Sequence, residues 1–114
     1  MLATKYNLKG DANFRRVEKE GKVFQSDTFG LAFYEREDKE DPRFGFIVSN
    51  KISNESTLRN RVKRALKAAV RYELTLLKNG VDVVFLAKQN ILRKTTEDIM
   101  HEVKEALRGA KLYK

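Results

Sequence analysis

The stretch Arg59–Arg71 reads RNRVKRALKAAVR and carries Arg59, Arg61, Lys63, Arg64, Lys67 and Arg71 without one acidic residue. Wound as a helix at about 100° per residue, it divides into two faces. Lys63, Arg64, Lys67 and Arg71 fall on one side with Asn60; Leu58, Val62, Ala65, Leu66 and Ala69 fall on the other. The apolar side demands a core to pack against. The basic side has a single sign, so no i,i+4 partner relieves its repulsion. A polyanion is the simplest partner that does. The alternative is a solvated basic face with no partner. Six positive side chains without an acid, in a chain of net charge +8, weigh against it.

At 114 residues the chain fits one domain, long enough to bury a sizeable core. Hydrophobic residues at 41% beside 35% charged ones describe a globular rather than a disordered chain. A pI near 9.8 predicts attraction to nucleic acid or to an anionic membrane surface. No apolar run approaches the ~20 residues of a spanning helix, and MLATKYNLKGD lacks the apolar core of a secretory signal. With no cysteine there is no disulfide and no thiolate metal site. A cytoplasmic location is the expectation.

In chain order, residues 1–10 read as a loosely held basic arm. Asp11 as N-cap and Gly21 as stop bracket a helix from Ala12 to Glu20, with Phe14 and Val17 on its docking face. Lys22–Gln25 reads as a short strand. Thr28–Glu35 alternates, with Phe29, Leu31 and Phe33 on one side and Gly30, Ala32 and Tyr34 on the other. That second face is shallow and partly aromatic, fit either to stack unpaired bases or to receive the first helix closely. The charged run 35–41, closed by Pro42, reads as a hairpin loop whose acidity turns it away from nucleic acid. Phe44–Ser49 is a further strand. Ser56 or Thr57 caps a helix from Leu58 to Lys78, stopped by Asn79-Gly80. Val81–Ala87 is apolar enough for a strand buried on both faces, and Gln89–Lys94 is a loop. Thr95 or Thr96 caps a last helix with the core stripe Ile99, Val103, Ala106 and Leu107, ending at Gly109 before a basic tail. The order α-β-β-β-α-β-α, with a mostly antiparallel sheet, makes a single-domain α+β fold.

A protein-based catalytic centre is hard to assemble from these residues. His101 is the lone histidine and sits among helical charges. Neither common phosphate-cradling glycine loop is present. Zinc lacks ligands, and Asp82, heading the last strand, reads as a turn residue before it reads as a metal ligand. Magnesium shared with a nucleic acid stays open, because a polyanion brings its own oxygens. The remaining chemistry is polyanion recognition: Arg59 and Arg61 can fork onto phosphate oxygens, and Asn60 can add a hydrogen bond.

At Arg59-Asn60-Arg61-Val62-Lys63-Arg64 the sequence resembles the RNR signature of the bacterial ribonuclease P protein subunit. Asn7-Leu8-Lys9 with Phe14, Val17 and Gly21 resembles that family's opening helix, and Phe29–Phe33 its aromatic strand. Arg43–Ser49 with Lys51, and Asp82–Lys88, resemble the segments flanking its long helix. The resemblance covers nearly the whole chain, 1–114, as one domain. It implies a fold similar to the second domain of ribosomal protein S5, with a left-handed β-α-β crossover. It implies a protein that binds a large catalytic RNA and assists endonucleolytic removal of the 5′ leader from precursor tRNA. The chemistry then belongs to the RNA and its Mg2+ ions, with no catalytic or metal-binding residue in the protein and no membrane or small-molecule partner.

By that resemblance Arg59, Asn60, Arg61, Lys63, Arg64, Lys67 and Arg71 contact RNA. Phe14, Tyr34, Lys51 and Lys88 then line a cleft for the single-stranded leader. The chain departs from the family's pattern at Glu18 and Ala32, where aromatics are frequent, at Ser53, where glycine is usual, and at Ala68, where glutamate is common. Glu18 puts a carboxylate where a phosphate backbone would be repelled. Two other readings stay open on the residues alone. One is a non-enzymatic RNA-binding module of ribosomal or RNA-chaperone type. The other is a DNA-binding domain with the basic helix in the major groove.

Overall fold

In the computed structural model, which describes residues 2–114, the apolar run Val81–Ala87 lies inside a four-stranded sheet. The elements are α1 (Asp11–Glu20), β1 (Lys22–Gln25), β2 (Phe29–Glu35), β3 (Arg43–Ile47), α2 (Ser56–Glu73), β4 (Val81–Ala87) and α3 (Thr96–Gly109). The sheet runs β1-β2-β4-β3. β4 pairs antiparallel with β2 and parallel with β3, and β1 pairs antiparallel with β2. The parallel pair is joined through α2, so this mostly antiparallel sheet contains one β-α-β unit.

The register fixes two unlike faces. Leu31 stands beside Phe85 and Phe33 beside Val83, so the larger side chains of β2 and β4 share one side. There Phe29, Leu31, Phe44, Val83 and Phe85 pack against Val62, Leu66, Ala69 and Val70 of α2 and the stripe Ile99, Val103, Ala106 and Leu107 of α3. Phe85 anchors this layer, edge-on to Phe29 at 5.4 Å and stacked on Phe46 at 5.5 Å. On the other side α1 sets Val17 against Ala32 and Val84, with Leu8, Phe14 and Tyr34 around them. The small residues of β2 therefore do admit α1, but only over part of the sheet.

Several local expectations change. The run 35–41 is not a hairpin loop, because β4 lies between β2 and β3 and the chain must cross to the far edge. The N-terminal segment is not loose: Leu2 and Leu8 are buried, and the Leu8 N–H donates to the Phe44 carbonyl at 2.8 Å. Gly10, at φ 87°, takes the N-cap position of α1 and puts Asp11 in the first turn. α2 begins two residues early, with Ser56 and Thr57 inside it and Glu55 at the cap. It ends at Glu73 and passes into a 3-10 turn, Leu74–Leu76. The C-terminal tail is the reason: Lys78 donates to the Leu112 carbonyl, Lys114 donates to that of Leu76, and the Tyr113 hydroxyl donates to Glu73. These bonds replace further helix. β3 stops at Ile47, and Gln89–Arg93 is a 3-10 turn rather than an irregular loop. Thr95 caps α3 in a reciprocal box with Asp98, as its sequence position predicts. Gly80, at φ 76°, makes the turn into β4, where a side chain would strike the Asp38 carbonyl. Among the described residues no helix is long and apolar enough to cross a membrane.

Candidate nucleic-acid interface

Burial of Val62, Ala65, Leu66, Ala69 and Val70 fixes the rotation of α2 and sends its basic side chains outward. Asn60, Arg64 and Arg71 are exposed; Arg59, Arg61, Lys63 and Lys67 are half-buried. Among the described residues none of the six basic side chains makes an ion pair. The two leading arginines are nevertheless held. Arg59 Nη1 donates to the Ser53 carbonyl at 2.8 Å, and Arg61 Nη2 donates to the Leu92 carbonyl at 3.0 Å. Each bond uses one of five guanidinium N–H groups and orients the rest. Lys67 Nζ lies 5.9 Å from the centre of the Phe46 ring, within cation–π range.

The basic face opens toward Phe14. A shallow cleft beside Lys63 and Lys67 is lined by Asn7, Phe14 and Phe46. The Phe14 ring in turn rests on Gly45, where any Cβ would collide with it. Beyond Phe14 a groove of about 450 Å³ crosses the sheet. Its floor is Val23, Gly30, Ala32, Ile47, Val84 and Leu86, drawn from all four strands. Val23, Ile47 and Leu86 are exposed to 61%, 41% and 43%, an unusual amount of open apolar surface for one sheet face. Phe14, Val17, Glu18, Gln25 and Lys88 form the rim.

Of the four cleft residues expected from sequence, Phe14 and Lys88 line this groove, and Lys88 Nζ is tied to the Ser26 carbonyl at 2.7 Å. Tyr34 does not line it; its ring lies under the Arg16 guanidinium at 4.9 Å, against α1. Lys51 is exposed in the turn after β3 and is likewise outside the lining. His101 is exposed on α3.

Asp82 is not a turn residue. It is fully buried in β4, and its two oxygens accept hydrogen bonds from Arg36, Arg43 and Arg16. Burial alone would raise its pKa, but the hydrogen bonds and charges of Arg43 and Arg36 outweigh that and hold it below the usual carboxylate range. Sequence position carries a signal for this site: a lone Asp inside VDVVFLA needs a buried cationic partner. Among the described residues no group of three His, Asp or Glu gathers that would hold a metal ion.

A family model for ribonuclease P matches residues 2–111. The chain belongs to the ribonuclease P protein family. The ribonuclease P protein component of Clostridium kluyveri is 37% identical over 111 residues, 96% of this chain and 97% of that protein. That of Clostridioides difficile is 37% identical over 103 residues, 89% and 88% of the two chains. Among solved structures, the Staphylococcus aureus RNase P protein superposes with a TM-score of 0.88 at 26% identity, covering 96% of this chain and 98% of that one. The Thermotoga maritima RNase P protein, at 22% identity and a TM-score of 0.81, shares the fold over 90% of this chain and 96% of its own. Arg59-Asn60-Arg61 lies in the first two turns of α2, at the edge of its basic face.

Proposed function

We propose that this protein is the cytoplasmic protein subunit of ribonuclease P, docking a catalytic RNA on α2 and holding the 5′ leader of precursor tRNA in the groove beside Phe14. The observation that carries the reading is the set of six basic side chains at 59–71, without an acidic partner among the described residues, in a chain of this family. Phosphates of the RNA meet Lys63, Arg64, Lys67 and Arg71 as point charges and forks, while Arg59 and Arg61 are already aimed by their carbonyl bonds. The leader is single-stranded, so its bases are free to lie on the apolar floor. Mg2+ held by RNA oxygens would supply activation of the cleaving water; among the described residues no group of three His, Asp or Glu gathers to hold such an ion. The protein positions the RNA and neutralises phosphate charge, and supplies no nucleophile or general base.

The test is reconstitution with the catalytic RNA and precursor tRNA at low Mg2+ concentration. Cleavage faster than with RNA alone is the expected result. Equal rates with and without the protein overturn the reading.

A further inference from the structure

The groove across the sheet is apolar except at its rim, where Glu18, Gln25 and Lys88 stand. Lys88 is committed to the Ser26 carbonyl. The Gln25 amide lies across Gly30, with its Oε1 and Nε2 3.4 and 3.8 Å from where a Cβ would stand there. Glu18 is exposed on α1 and is absent from the ion pairs of the described residues. A free carboxylate repels a phosphate backbone. What enters beside it is therefore the base of a nucleotide, with the backbone running outside, toward Lys63 and Lys67 across Phe14.

A carboxylate accepts hydrogen bonds and donates none. Guanine alone among the four bases offers it two parallel donors, N1–H and the N2 amino group. Adenine and cytosine put a ring acceptor beside their amino donor, and uracil flanks its single N–H with two carbonyls. Resting on the leader reading of the same groove, we infer that Glu18 makes it a guanine-selective site for one leader nucleotide, the base lying on the sheet and its donor edge toward the carboxylate. The groove of about 450 Å³ over Ala32 and Val84 has room for a purine, and the Gln25 amide, lying over Gly30, is placed to meet a second polar edge.

The experiment uses the reconstituted holoenzyme and precursor tRNAs with all-adenosine leaders. A single guanosine, cytidine or uridine is placed at each leader position in turn. Competitive kcat/KM is read for the wild type, Glu18→Gln and Glu18→Ala. The inference predicts one position where guanosine exceeds the other three by about tenfold, the scale of a bidentate base contact. Both variants reduce that preference to within about twofold, because neither side chain offers two acceptors. A wild type without a guanosine-preferring position overturns it, as does a preference that survives in Glu18→Gln. Equal improvement of all leaders by Glu18→Gln also overturns it, since Glu18 then acts only by repulsion. If the wild-type protein accelerates no precursor over RNA alone, the leader reading itself falls; loss of base preference with acceleration intact removes only the guanine site.

Discussion

Arg16, Arg36 and Arg43 converge on one buried carboxylate, whereas the six basic side chains of residues 59–71 meet no acidic partner among the described residues. Both regions are dense in arginine, and both sit next to sheet strands. At the Asp82 end of β4 the charges are also met by the loop 35–41: Arg36 pairs with Asp38 at 3.0 Å, and Lys5 with Asp41 at 3.5 Å. Cation density alone therefore does not mark a binding surface. The position of the nearest carboxylate does, because a guanidinium already saturated inside the fold has few donors left for a phosphate.

The contrast breaks first at Asp82. Asp82→Ala removes the buried carboxylate shared by Arg16, Arg36 and Arg43 and leaves the nearly buried Arg36 with Asp38 as its one acidic partner among the described residues. The expected loss is about 3 kcal/mol in urea unfolding; a change under ~0.5 kcal/mol would make the cluster a surface feature. The same carboxylate gives a pH signature. Its folded pKa lies below the unfolded value of about 3.9. Its contribution is thus complete above that value and is lost as the pH falls through the folded pKa. The urea midpoint should be flat from neutrality down to about pH 5 and fall below about pH 4. Glu102, held low by hydrogen bonds from Ser26 and Thr28 against the opposing effect of its burial, adds to the same acid limb. Asp82→Asn should flatten part of that limb, and an identical pH profile in the variant contradicts the assignment.

Within α2 the comparison sharpens on a smaller scale. Arg61→Ala removes a bond to the Leu92 carbonyl and should cost about 1 kcal/mol of stability. Arg64→Ala, at an exposed position with no ion-pair partner among the described residues, should leave stability within about 0.5 kcal/mol while weakening RNA binding. Equal destabilisation by the two would mean that Arg64 has a structural role too.

What was legible in the sequence follows the range of the interactions. The amphipathic split of 58–71 is local, and the side expected to be apolar is the side buried. The Thr95 cap is local as well. Asp82 depends on Arg16, Arg36 and Arg43, which lie 39 to 66 residues away, and only its apolar neighbours hinted at them. The supposed hairpin at 35–41 failed for the same reason: strand order is set by the pairing of β3 with β4, which no turn signal encodes. The shallow β2 face was readable from Gly30 and Ala32, and packing of α1 on it was one of the two readings it allowed; how much of the face α1 leaves open was not readable, nor was the seating of Phe14 on Gly45. Tyr34 shares a strand face with Ala32 yet is taken by Arg16.

The central claim is that the unpaired face of α2 docks the catalytic RNA. Its most direct test is the salt dependence of the affinity for that RNA, compared between wild type and a Lys63→Ala, Arg64→Ala, Lys67→Ala triple variant. Each lost phosphate contact should make the log–log slope shallower by roughly 0.7 to 0.9, about two units in all. A slope and affinity unchanged in the triple variant would contradict the account and place the RNA on another surface.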